Sequence, residues 1–288
     1  MFYHDKELQY KVRVDKPNPV FARMLQQAVG GIEGEIRVCL QYLFQAFGSR
    51  GPSKYRYMLL ETGTEEIGHI EMLATAVALN LEGAPLSLKE EMAKDQAIGA
   101  VMGGMDVRHV LSSGLSAMAV DANGVPFNGS WVVGSGNLAA DMYANVMAES
   151  TGRLLATRLW EATDDPGMKD MLAFLIARDT MHQNQWLAVL EELGGPTGVH
   201  PIPNSFPQSE ELQQYSYAFM STSINGETPQ GRWTSGPSID GKGEFSVIQG
   251  KPAGDEPKLG PPAPKGHAQK EQMSAFDTII DKAKDVLG

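Results

Sequence analysis

The sequence predicts an all-α fold: a four-helix bundle with a long crossover and an extended, mostly irregular C-terminal tail. Three observations predict it. Apolar residues recur at helical spacing through long segments bounded by capping residues. A stretch rich in glycine and turn residues, about 99 to 136, divides those segments into two pairs. Finally, one pattern occurs twice, a glutamate followed at a distance by carboxylate-x-x-His. Glu35 lies 31 positions before Glu66, which precedes His69; Glu149 lies 30 before Asp179, which precedes His182.

On a helix, positions i and i+3 share a face, so Glu66 and His69 can reach one metal ion, as can Asp179 and His182. One such pair is common and says little. Two of them, each with its own upstream glutamate, converge if four helices form two antiparallel hairpins. That is the arrangement known for dinuclear carboxylate sites in ferritin-like bundles.

Composition sets bounds. With 288 residues, 42% of them apolar, the chain can bury a large core. We expect the bundle over residues 1–195 and a C-terminal extension over 196–288 that wraps neighbouring subunits. No run of about 18 apolar residues occurs, so no membrane span is expected. Met1-Phe2-Tyr3-His4-Asp5-Lys6-Glu7 lacks the basic-then-apolar pattern of a secretory signal. Cys39 is the single cysteine; it excludes an intrachain disulfide and fits a reducing, cytoplasmic location. A net charge of −11 argues against non-specific binding to nucleic acid or to an anionic membrane.

The elements follow in order. Residues 1 to about 17 read as an extended arm. Asn18-Pro19 opens a helix, with Asn as cap and Pro at the first position. Met24, Leu25, Ala28, Val29, Ile32, Ile36, Cys39, Leu40 and Leu43 carry its apolar period to about Phe47. Gly30, Gly31 and Gly34 lie within it and each cost up to about 1 kcal/mol against Ala, a cost consistent with close packing or with ligand access. Gly48-Ser49-Arg50-Gly51 ends this helix and Pro52 starts the next, which runs to about Leu81. So short a turn implies an antiparallel hairpin. A brief helix is expected from Ser87 to Ala97. After the crossover, a third helix spans about Asn137 to Thr163, and Asp164-Asp165-Pro166 closes it and caps a fourth. That one stops at Gly194-Gly195-Pro196. Beyond it the chain is rich in Pro, Gly and Ser. Short ordered pieces are expected around Gln230–Trp233 and Glu244–Ile248, and an amphipathic helix from Lys270 to Leu287.

Two histidines with three or four carboxylates suit first-row divalent metals, chiefly manganese or iron. Two divalent ions against three ligating carboxylates leave one positive charge, which a bridging hydroxide or oxide brings close to neutral. Neutrality matters because uncompensated buried charge is costly. Glu65, Glu71, Glu191 and Glu192 read as surface residues or as residues lying just behind the ligands. His4, His109, His200 and His267 fall outside the four helices and read as ordinary hydrogen-bonded histidines. Tyr42 lies two turns beyond Glu35 on roughly the same face; it either packs or donates to a ligand carboxylate. The ligands alone leave open a di-iron oxidase, and the long tail leaves open a protein that uses the bundle for assembly.

The chain resembles the manganese catalases, the non-haem dimanganese family. The motifs that carry the resemblance are Met1-Phe2-Tyr3-His4, Gly34-Glu35, Glu65-Glu66-Ile67-Gly68-His69-Ile70-Glu71, Ala148-Glu149-Ser150-Thr151-Gly152-Arg153, Ala177-Arg178-Asp179-Thr180-Met181-His182-Gln183 and Gln230-Gly231-Arg232-Trp233. The resemblance implies two manganese ions per subunit, bridged by oxide, hydroxide or water, with Glu35, Glu66, His69, Glu149 and His182 as ligands and Glu66 between the metals. It implies disproportionation of hydrogen peroxide to water and dioxygen by a centre cycling between Mn(II)2 and Mn(III)2. It also implies protection against oxidative stress and a homohexamer. Asp179 takes the place of a non-ligating carboxylate near the metals, and Tyr42 that of a tyrosine bonded to their carboxylates. Some members have a basic residue beside the cluster; Ala148 stands directly before Glu149, leaving Arg153 as a candidate. Some bind calcium at a subunit boundary; Glu61 keeps that pattern in part and Tyr57 departs from it.

Overall fold

In the computed structural model, residues 5–82, 107–203, 206–225, 227–250 and 254–258 are described. Asn18 caps α1 (Pro19–Gly30), accepting from the Val20 and Phe21 amides. The expected single helix to Phe47 is in fact two. The chain breaks at 31–34 and resumes as α2 (Glu35–Gly48). The apolar period continues across the break, which is why it reads as one helix. The glycines decide otherwise. A Cβ at Gly30 would lie 2.5 Å from the main-chain N and O of Val120, so the crossover docks directly on the helix backbone there. The break makes Glu35 the first residue of a helix instead of a mid-helix residue, where the positive end of the helix favours a carboxylate.

The long helix α3 (Ser53–Leu81) follows after a short turn. The helix expected at Ser87–Ala97 lies outside the described residues, as does the one at Lys270–Leu287. Within the crossover is a short helix, α4 (Val107–Leu111). Asn137 then caps α5 (Leu138–Glu161), and Asp165, accepting from Gly167 and Met168 amides, caps α6 (Pro166–Glu192). α2 packs along α3, α5 along α6, and α1 against α3. The tail adds the short helices α7 (Gly195–Val199) and α8 (Gln213–Ser216) and three strands. These are β1 (Ala218–Ser221), β2 (Gly236–Pro237) and β3 (Glu244–Gln249), in spatial order β1-β3-β2. β1 runs parallel to β3, and β2 antiparallel to it.

Side-chain amides and guanidiniums of α1 and α2 hold the crossover by its main chain. Gln26 bonds both Met118 N and Met118 O, Arg23 donates to Ala122 O, and Arg37 to Trp131 O. Gln41 accepts from Val133 N and Gln45 donates to Val133 O. The same two glutamines share Asn145 of α5 in a buried network, whose groups are costly to bury unless satisfied.

Two apolar clusters fill the bundle. One gathers α1, the C-terminal half of α3 and the N-terminal half of α6, around Phe21, Leu25, Leu73, Leu81 and Leu172. The other gathers the opposite ends of the helices, around Tyr42, Leu59, Met142 and Trp186. The layer between them is polar and contains the doubled motif. The N-terminal arm crosses outside that layer. Tyr10 stacks on Phe174 with ring centroids 4.5 Å apart, its hydroxyl donates to Asp170, and Asp15 and Lys16 amides donate to Asp165.

Candidate metal centre

Four helices each contribute to the polar layer. Glu35 starts α2, with Tyr42 two turns along. Glu66 and His69 sit in the middle of α3, Glu149 in the middle of α5, and Asp179 and His182 on α6. Glu66, His69, Glu149, Asp179 and His182 are buried, and the Glu35 side chain is only 15% exposed. Burying so many ionisable groups without compensation is very costly, so their arrangement needs a reason.

Glu66 lies at the centre. Its Oε2 is 2.6 Å from His69 Nδ1 and its Oε1 is 3.1 Å from His182 Nδ1. Glu35 Oε2 is 3.7 Å from His69 Nδ1, and Glu149 Oε1 is 3.3 Å from His182 Nδ1. Two groups with the spacing of cation ligands result, Glu35–Glu66–His69 and Glu66–Glu149–His182, with Glu66 in both. The doubled sequence pattern therefore closes on an unsymmetrical site: Asp179, the counterpart of Glu66, belongs to neither group. Glu61, exposed on α3, also belongs to neither, and Tyr57 is exposed.

Electrostatics follow from burial and proximity. Burial, with the nearby Glu66 charge, pushes the Glu35 carboxyl up to about 7 against the opposing pull of His69. Burial alone would raise Glu66 too, but the His69 charge and bonds from both histidines bring it down to about 2. Burial would lower His69 and His182. The surrounding carboxylates outweigh it, raising His69 well above its ordinary value and His182 to about 12. Asp179 is raised well above the carboxylate range by burial and then by the charges of Glu35, Glu149 and Glu66. Burial and the Glu149 charge hold the Tyr42 hydroxyl neutral.

Of the two readings of Tyr42, the structure has it donate to Glu149 Oε1. Arg153, the candidate basic residue, instead faces outward and donates to Thr180 Oγ1. The cation beside the cluster is Arg178, and its partner is Glu65, which of its two readings takes the place just behind the ligands. Glu65 reaches both histidines from outside, 3.5 Å from His69 Nε2 and 3.2 Å from His182 Nε2. Glu65 precedes His69 by four, and Arg178 precedes His182 by four. That i, i+4 spacing was the available signal. His109 is a buried histidine bonded to Ser116 O, and His200 bonds Pro196 O; His4 and His267 lie outside the described residues.

The donor set fits a pair of metal ions. Glu66 Oε1, both ring nitrogens of His69 and Nδ1 of His182 are buried and make no aligned hydrogen bond, although buried polar atoms nearly always do. Glu66 Oε1 and the Nδ1 atoms of both histidines converge, and carboxylate oxygens with imidazole nitrogens suit manganese and iron as ligands.

Comparison with known proteins supplies the family. Residues 1–286 match the family model of manganese-containing catalases. A manganese catalase of Bacillus subtilis is 46% identical over 267 residues, covering 93% of this chain and 97% of that one. The manganese catalase of Lactiplantibacillus plantarum is 41% identical, over 77% of this chain and 83% of its own. The crystal structure of a manganese catalase from Anabaena superposes with a TM-score of 0.69 at 23% identity, covering 86% of this chain and 99% of that one. At that identity it speaks for the bundle fold alone, which agrees with the fold read from the sequence. With the family model matched over nearly its whole length and relatives this similar, the chain belongs to the manganese-containing catalases.

Proposed function

We propose that Glu35, Glu66 and His69 hold one manganese ion and that Glu66, Glu149 and His182 hold a second, with Glu66 between them. The activity is the disproportionation of hydrogen peroxide: two peroxides give two waters and one dioxygen. The observation that carries the ligand assignment is the central carboxylate, with one oxygen toward each imidazole Nδ1. When bound, the manganese pair supplies the two-electron redox change, from Mn(II)2 to Mn(III)2 and back.

The chain's own residues do the rest. Five ligands fix the ions, and an apolar cluster packs on either side of the layer. Protons leaving the peroxide that is oxidised must reach the one that is reduced. Glu35, Glu149 and Asp179, or an oxygen between the ions, are the candidate carriers. Tyr42 donates to Glu149 and so keeps that carboxylate oriented.

The same reading assigns a homohexamer in the cytoplasm, its tails over residues 196–288 embracing neighbouring subunits. Exposed Met147, Leu154, Met181 and Leu187 on α5 and α6 support association, and the free, buried Cys39 fits a reducing compartment. No helix among the described residues is long and apolar enough to cross a membrane, and the acidic charge fits no nucleic-acid partner. A calcium role for Glu61 gains no support from its place outside both ligand groups.

The test is elemental analysis of the purified protein together with oxygen evolution from peroxide on the same sample. The proposal expects about two manganese per chain, as in two-metal sites generally, with azide-sensitive oxygen release. Two irons with little oxygen release would sink it.

A further inference from the structure

We propose that Glu65 is a positioning residue for the metal centre: one outer carboxylate sets the orientation and tautomer of both ligating imidazoles, and is itself held by Arg178 and by Gln9 of the N-terminal arm. This rests on the ligand assignment above. Both rings turn Nδ1 inward to Glu66, so both turn Nε2 outward. The outward nitrogens meet the two oxygens of the same carboxylate. His69 Nε2 is 3.5 Å from Oε1, and His182 Nε2 hydrogen-bonds Oε2 at 3.2 Å. A neutral imidazole that gives Nδ1 to a metal carries its proton on Nε2, and an outer acceptor fixes that choice. Here one carboxylate bonds one ring and stands at the edge of hydrogen-bond reach of the other.

The carboxylate does not float. Arg178 donates from Nε to Oε1 at 2.6 Å and from Nη2 to Oε2 at 3.2 Å, the two-pronged geometry that fixes a carboxylate in plane. Gln9 Nε2 adds a bond to Oε1 at 3.1 Å. Room for Gln9 comes from Gly68, where a Cβ would lie 2.9 Å from the Gln9 side-chain oxygen. The next residue, Tyr10, anchors the arm on Phe174, whose ring meets His69 edge-on. Every polar neighbour named is a donor, so Glu65 must offer two acceptor oxygens. An amide offers one, and its NH2 would face an N–H. Glu65→Gln therefore leaves one imidazole supported and the other opposed.

The experiment measures manganese per chain and the time course of manganese release to a chelator, for wild type and Glu65→Gln. Melting of the metal-free proteins is followed in parallel. Wild type is expected to hold both ions and the variant to release in two phases, one ion leaving about ten- to a hundredfold faster. The exchange-coupled signal of the manganese pair in paramagnetic resonance is lost with that ion. Melting of the metal-free variant falls, because Glu65 also holds Arg178 and both histidines there, so release is compared at a temperature well below both melting points. Gln9→Ala moves release in the same direction by less, because Arg178 remains. If Glu65→Gln does not fold, Arg178→Met removes the group that aims the carboxylate and should give the same two-phase release. Wild-type release from Glu65→Gln, or equal acceleration of both ions, overturns the proposal. Wild-type protein that binds no manganese overturns the ligand assignment, and this inference with it.

Discussion

The Tyr42 hydroxyl donates a hydrogen bond to Oε1 of Glu149, joining α2 to α5 inside the buried polar layer. The ring behind that hydroxyl packs on Trp186 with centroids 4.8 Å apart, so it stays in place when the hydroxyl is removed. Tyr42→Phe should keep the fold and the manganese content. It should lower peroxide turnover about tenfold to a hundredfold, the size of a lost hydrogen bond to a charged group. Oxygen evolution normalised to bound manganese checks this.

Manganese uptake should release protons. In the metal-free protein His182 is raised to about 12 and His69 well above its ordinary value, so both are protonated near neutral pH. A ligating imidazole must be neutral, so each ion displaces a proton and affinity falls as pH falls. The same shifts stabilise the metal-free fold fully below the unfolded histidine value, a stabilisation lost as pH rises toward 12. Titration calorimetry in buffers of different ionisation enthalpy should show net proton release at neutral pH. Buffer-independent heats would contradict the proposed ligands.

Asp179 tests whether a fourth carboxylate binds metal. Its carboxyl is buried and raised by three neighbouring carboxylates, and it belongs to neither ligand group. Asp179→Asn matches a neutral carboxyl in shape and should retain manganese. Turnover should drop, by up to about a hundredfold where proton transfer limits the rate. Loss of metal in elemental analysis would instead place Asp179 among the ligands.

Gly30→Ala should destabilise the protein although alanine is the better helix former. The added Cβ meets the Val120 main chain at 2.5 Å, an overpacking cost of about 1–3 kcal/mol against a propensity gain of up to about 1 kcal/mol. Denaturant unfolding of the metal-free protein measures the difference.

Much of this centre was legible because helix geometry is short-range. Glu66 and His69 share a face by spacing alone, and Asn18-Pro19, Asn137 and Asp165-Pro166 cap where their chemistry says they should. The break at 31–34 was not legible. Its cause is the approach of Val120, ninety residues on in the sequence, and no local period reports such a contact. The exclusion of Asp179 from the ligand groups was likewise invisible to spacing, which treats the two halves as equals. Only the resemblance singled Asp179 out. For Glu65 the spacing leaves open a solvent-facing residue or one just behind the ligands, and which it is depends on two rings from different helices meeting at one carboxylate.

The way the crossover is fastened has a consequence for mutational tolerance. Gln26, Arg23, Arg37, Gln41 and Gln45 grip Met118, Ala122, Trp131 and Val133 by peptide N–H and C=O groups, which every residue but proline offers in full. Between Met118 and Val133, part of the information that specifies the crossover's path is therefore written in the helices it crosses. A saturation library should find the gripping residues intolerant and the gripped ones permissive to almost anything except proline. Val120, whose own side chain is buried, stands as the exception.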